Sequence, residues 1–189
     1  MLKKMRGFTL IELLIVVAII GILAALLIPN ALAALQKAKQ KSAMKEVTTV
    51  ATACADYITD HGTWTALAQS GDLVAGNQFM VALSTFYVKV LPVNDPWNHA
   101  YNIDVGKAAV TVVVSGADPE DIGDDDFTVQ SFGRDGAPGP TYRASTYTTT
   151  TPEAGRYNVG RMKDFDEDLV NWNGSWIVGP KSTISATGS

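Results

Sequence analysis

Residues 13–28 form an unbroken apolar run of 16, and counting back across Glu12 to Phe8 gives 21 residues with a single charge. As a helix that stretch spans roughly 30 Å, the thickness of a bilayer's hydrocarbon core. A short basic segment, Met1-Leu-Lys3-Lys4-Met-Arg6-Gly7, precedes it. Positive charge on one flank keeps Lys3, Lys4 and Arg6 on the cytoplasmic side and sends the rest of the chain across the membrane. The helical pattern continues past residue 28. Ala31, Leu32, Ala34 and Leu35 are followed by Lys37, Lys39, Lys41 and Lys45, and an apolar stripe recurs at Met44, Val47, Val50, Ala51, Cys54 and Ile58. Steps of three and four place that stripe on one helical face. The spacing predicts one helix from about 8 to 57, on the order of 75 Å long. Its first half, 8–30, is wholly apolar, and its second half, 31–60, is amphipathic.

Three readings fit this segment. One is a secretory signal with a basic n-region, an apolar h-region and a small-x-small site at Ala31-Leu-Ala33. Another is a plain single-span anchor. The third depends on Glu12, because a carboxylate at mid-membrane costs about 2.5–3.5 kcal/mol and less nearer the interface. Cleavage after Gly7 would give Phe8 a free α-amino group four residues from Glu12. A neighbouring copy shifted along the axis could then bring its amine against this Glu12, penalising misregistered subunits with an unpaired charge. The competing account has Glu12 snorkel to the headgroups.

Arg6-Gly7-Phe8-Thr9-Leu10-Ile11-Glu12, the apolar run, and Ile28-Pro29-Asn30 together resemble the class III signal of type IV pilins and pseudopilins. The resemblance spans residues 1 to about 35. It implies that 1–7 is a leader removed after Gly7 by a prepilin peptidase, with Phe8 then N-methylated. It also implies that Glu12 pairs with the Phe8 amine of an adjacent subunit, and that the helix loosens at Gly21 and Pro29 inside the filament. Gly lowers helix propensity and Pro removes an i→i−4 bond, so both positions suit that role.

Residues 61–180 are left for an exported head, enough to bury a core without staples. Asp60-His61-Gly62-Thr63 ends the long helix, with Gly62 at C′. A short helix is expected near 79–83, and strands at 86–91, 101–105, 108–115 and 127–132, each β-branched or aromatic and bounded by Gly, Pro or Asp. Short strands with tight connections favour an antiparallel sheet packed on the amphipathic half of the helix, an α+β fold. The tail 181–189 is expected to be disordered.

Three further stretches resemble major pseudopilins of type II secretion: Asp95-Pro96-Trp97-Asn98, Ser131-Phe-Gly-Arg-Asp135-Gly136, and Asp164-Phe-Asp166-Glu-Asp168-Leu-Val-Asn171-Trp172. Asn98 stands where Gly is usual, and an insertion at about 137–162 separates the last two. By the same resemblance, a calcium site at the C-terminal loop would use Asp135 and members of Asp164, Asp166 and Asp168. Calcium takes six to eight oxygens, which such loops can supply with carbonyls. An EF-hand is excluded because Leu169 stands where that loop needs Gly. The other acidic run, Asp118 to Asp126, reads as a solvated loop tip.

Composition narrows the remainder. The net charge is −4, which excludes a dedicated nucleic-acid binder. One cysteine permits no intrachain disulfide, and Cys54 reads as a small core residue. His61 and His99 stand in loops without nearby ligands and read as surface residues. The four lysines read as a solvated helix face that could meet anionic lipid or neighbouring acids. Asn173-Gly-Ser175 spells a glycosylation sequon, and residues 146–152 read as a flexible loop. No Ser-His-Asp order, phosphate loop or zinc spacing is present, so no enzyme is expected. The expected function is a subunit polymerising through its N-terminal helices into a type II secretion pseudopilus. Its partners would be the prepilin peptidase and an inner-membrane assembly platform. It would sit in the bacterial inner membrane before assembly and in a periplasmic or surface filament afterwards. A long surface pilus for adhesion or motility is the alternative, and a calcium-dependent anchored binding module that never polymerises is a second.

Overall fold

The computed structural model describes residues 8–64, 70–84, 86–139, 147–148 and 150–181. The leader with Gly7 and the tail expected to be disordered lie outside them, apart from Lys181.

Helix α1 runs unbroken over Leu10–His61, 52 residues, or about 78 Å. Thr9 caps its start, and Gly62 ends it in the left-handed region with its N–H on the Ile58 carbonyl, a conformation that favours glycine. Helix and stripe are as expected: Gln40, Ala43, Val47, Val50, Ala51, Ala53, Cys54 and Tyr57 are buried. Upstream of Gln36 the helix projects free of the head. Its large apolar side chains from Phe8 (81% exposed) to Leu35 all face outward, far more apolar surface than a soluble monomer leaves uncovered.

The head is a six-stranded sheet of β1 (Gly71–Asp72), β2 (Asn102–Val105), β3 (Phe127–Ser131), β4 (Arg156–Tyr157), β5 (Leu169–Trp172) and β6 (Ser175–Pro180). The spatial order is β1-β2-β3-β5-β6-β4, antiparallel throughout except β4 against β6. Ile103, Val105, Phe127 and Val129 meet the buried face of α1, together with Tyr101, Leu73 and helix α2 (Gln78–Leu83). The other face carries a second apolar layer built by helix α3 (Lys107–Val113), whose Val110 and Val113 pack with Val114, Ala117, Val170 and Ile177.

Two expected strands are corrected. Residues 108–115 lie in α3 and its C-terminal end. Val110, Val113, Val114 and Ala117 are buried at i, i+3, i+4 and i+7 while Val112 is 76% exposed, so burial against β2 and β3 overrides the β-branched propensity. Residues 86–91 form turns with one isolated bridge, Ser84 to Val88. Phe86 is 79% exposed, so that alternation serves no sheet face. The hairpin β5–β6 goes beyond the expectation of a loop with an Asn-Trp ending. The 137–162 insertion contributes β4, which extends the sheet in parallel with β6.

Candidate functional site

Two regions hold the expected site residues, the free end of α1 and the end of the head nearest the bare half of α1.

At the helix start, the Thr9 N–H donates to Glu12 Oε2 at 2.9 Å and its hydroxyl donates to the same oxygen at 2.7 Å. The Glu12 N–H returns a bond to Thr9 Oγ1 at 3.3 Å. This is a capping box, and Thr9-x-x-Glu12 is its sequence signature. The carboxylate therefore has partners inside its own chain, which corrects the view that only an assembly supplies them. Both partners are neutral, so the negative charge stays uncompensated. Phe8 stands one residue outside the cap, where an α-amine created by cleavage would sit. Gly21 has open space where a Cβ would stand. The helix passes straight through Pro29, while Asn30 Nδ2 donates to the Leu26 carbonyl at 3.1 Å.

At the base of the head the three pseudopilin-like stretches meet. Asp95 is buried; its Oδ1 accepts from the Trp97 and His99 N–H groups, each at 2.9 Å, and its Oδ2 accepts from Ser131 Oγ at 2.8 Å. Trp97 Nε1 donates to Gln36 Oε1 at 2.7 Å, tying the turn to α1. Asn98 has φ 73°, which explains the usual Gly there, since Asn also tolerates that region. His99 is half-buried, not a surface residue: its Nδ1 lies 3.0 Å from the Gly133 carbonyl and its ring leaves no room for a Cβ on Gly136. Gly133 is wedged, at φ 66°, against the Phe165 and Glu167 carbonyls.

The four carboxylates in question have separate partners, Asp135 Oδ1 accepting the Ala137 N–H at 3.2 Å. Asp166 takes the Arg134 guanidinium through both oxygens, at 2.7 and 3.0 Å. Asp164 Oδ2 accepts the Gly160 and Arg161 amides at 2.9 and 2.7 Å, and these amide bonds hold its carboxyl below the usual range. Asp168 is 6% exposed. Its Oδ2 accepts the Gly139 N–H at 3.0 Å while its Oδ1 is buried with no partner. Burial first, then the charges of Asp135 and Glu167, push it up to about 6. Among the described residues no three His, Cys, Asp or Glu side chains converge as a metal cluster. In the other acidic run, Asp124 and Asp125 are exposed, but Asp126 is buried and accepts from Trp172 Nε1 at 3.1 Å and Asn173 Nδ2 at 2.7 Å.

A long helix, bare and apolar at one end and packed on a small antiparallel sheet at the other, defines a pilin-like, filament-forming subunit. Residues 2–28 match the prokaryotic N-terminal methylation motif. The chain is 32% identical over 132 residues to the type II secretion system core protein G of Vibrio cholerae, covering 65% of this chain and 90% of that one. It is 30% identical over 132 residues to the core protein G of Escherichia coli, covering 66% and 90%. The type IV wide pilus major component PilA4 of Thermus thermophilus is 68% identical over 37 residues, covering 20% of this chain and 28% of that one. No solved structure matches the chain. The chain belongs to the family of type II secretion system core protein G, the major pseudopilins, a family of structural subunits.

Proposed function

We propose that this chain is the major subunit of a type II secretion pseudopilus. It is held in the inner membrane by the apolar half of α1 with its N-terminus cytoplasmic, and it is drawn into a periplasmic filament after a prepilin peptidase removes residues 1–7. The observation that carries this reading is the bare segment of α1, 26 residues from Leu10 to Leu35. Lipid covers it in the monomer, and other helices cover it in the filament, so extraction exchanges one apolar surrounding for another. The amine of Phe8, N-methylated, pairs with Glu12 of a neighbour. The likeness to core protein G extends over far more residues than the helix holds, whereas the likeness to the wide-pilus component is only 37 residues long. That difference favours the pseudopilus over a long surface pilus. N-terminal sequencing of the mature protein should begin at Phe8, and electron microscopy of overproducing cells should show short periplasmic filaments. A start at Ala34, or micrometre-long surface fibres, contradicts the reading.

We propose calcium binding at the base of the head in a narrowed form. Asp168, with a buried oxygen lacking a partner, and Asp135, close enough to raise its pKa, are the carboxylates that would hold the ion, with backbone carbonyls completing the oxygen set. Asp164 and Asp166 are engaged elsewhere. Bound calcium would screen two crowded carboxylates and fix the loop from Ser131 to Gly139 against β5. Saturating calcium should raise the melting temperature of the wild-type chain by several degrees. Asp168→Asn should melt at one temperature with or without it. An equal calcium response in both chains would remove the ion from this site.

A further inference from the structure

Lys37, Lys41 and Lys45 stand at i, i+4 and i+8 on α1, all exposed, on the flank turned away from the helix's own buried face. Like charges at this spacing repel, so the stripe weakens the lone helix. No ion pair among the described residues includes any of them. Between Glu12 and Asp56 the sole acid of α1 is Glu46, and its carboxylate is held by Ser42 Oγ at 3.0 Å and by the Tyr101 hydroxyl at 2.7 Å. Among the described residues the stripe thus has no ion-pair partner in its own subunit.

Its charge complement lies at the opposite end of the same head. Asp118, Glu120, Asp121, Asp124 and Asp125 are exposed in the connection between α3 and β3, with Lys107 the basic residue that opens α3. Trp64 Nε1 donates to the Asp125 carbonyl at 2.8 Å, fixing this loop beside the C-terminal end of α1. From Lys41 to Gly62 the helix rises about 30 Å, so stripe and loop cannot meet within one molecule.

We propose that the lysine flank of α1 docks on the acidic loop of a second copy, displaced by about 30 Å along the common axis. The inference rests on the filament reading and deepens it. A contact between two different patches of identical subunits is heterologous, and when it does not close into a ring it builds a helical filament. The stripe begins where the bare apolar stretch of α1 ends, so the contact continues the surface through which the helices assemble. Glu12 sets register between near neighbours, and the lysine flank adds a contact several subunits further on. Anionic lipid is the weaker occupant: Lys37 and Lys41 lie about 3 and 9 Å beyond Leu35, the last large exposed apolar side chain of the helix, but Lys45 lies about 15 Å beyond it, so a headgroup plane marked by Leu35 leaves the third charge more than a Debye length away.

The test uses the full-length chain in membranes, with filaments sheared and counted. The charge reversal Lys37→Glu with Lys41→Glu and Lys45→Glu should reduce filaments about tenfold or more, because it sets acid against acid. Adding Asp121→Lys, Asp124→Lys and Asp125→Lys to that chain should restore them. A chain carrying Lys41→Cys and Asp124→Cys should give a disulfide ladder between subunits under mild oxidation, and this readout needs no reversed charge to fold. Parental filament yield from the reversed chain, or filaments without a ladder, overturns the contact and leaves the pseudopilus intact. Loss of the reversed chain from anionic vesicles, with no rescue by the acidic-loop changes, assigns the stripe to lipid and also overturns it. A parental chain that makes no filaments removes both readings.

Discussion

Glu12→Gln is expected to give a folded subunit that stays in the membrane and makes no filaments. The substitution keeps the capping box, since an amide oxygen can still accept from Thr9, and it removes only the charge. What is lost is the partner of the neighbour's α-amine. Breaking a desolvated ion pair by neutralising one member costs about 3–5 kcal/mol, because the other charge is stranded. At every interface of a polymer that is a factor of a hundred or more. Thr9→Ala gives the opposite result: it removes the hydroxyl bond at 2.7 Å, costs about 1 kcal/mol of cap, and leaves filaments in place. Immunoblots of membrane and sheared fractions read both variants. Filaments from Glu12→Gln together with none from Thr9→Ala would make Glu12 a helix cap and nothing more.

Gly133→Ala is expected to destabilise the head strongly. A Cβ there would stand 2.8 Å from the Glu167 carbonyl oxygen and 2.9 Å from that of Phe165, at a φ of 66°. Both obstacles are backbone, so no side chain can swing aside, and the left-handed conformation adds its own cost. The expected loss is about 3 kcal/mol or more, roughly 10 °C in melting temperature for a domain of this size. The 165–168 segment would be displaced, and Asp168 with it, so the calcium response should vanish too. Gly160→Ala, where a Cβ meets nothing within 4 Å, is the matched control and should melt within a degree or two of the parent. Equal melting temperatures for the two variants would show that the loop yields freely.

What was legible and what was not follows from how far apart the interacting residues stand. The 3.6-residue period of α1, its stop at Gly62 and the strands at β2 and β3 are local patterns, and they were read within a few residues of where they stand. Three further local signals stand in the sequence. Asn173-Gly174, with φ values of 49° and 85°, is a strong short-range hairpin signal, yet the same residues read as a sequon. Val110, Val113, Val114 and Ala117 carry a helical period beneath a β-like composition. The capping box at Thr9 was legible by spelling as well. In the candidate site, Asp95, Trp97, Ser131 and Gly133 stood inside stretches noted for their resemblance, but their joint role as a clamp could not be seen, because each bond spans more than thirty residues except the turn's own.

By itself the sequence determined that this chain has one long helix, apolar over its first half, with one acid near its start. Those properties depend on neighbours within a turn or two, and on a hydrophobic run that no soluble fold can leave uncovered. Only the tertiary structure decided which carboxylates are free. Arg134 takes Asp166, local amides take Asp164, and burial strands one oxygen of Asp168, all within four residues of each other in the chain. Their charges and spelling are alike; what separates them is which neighbour folding brings to each, and desolvation depends on that neighbour rather than on the residue.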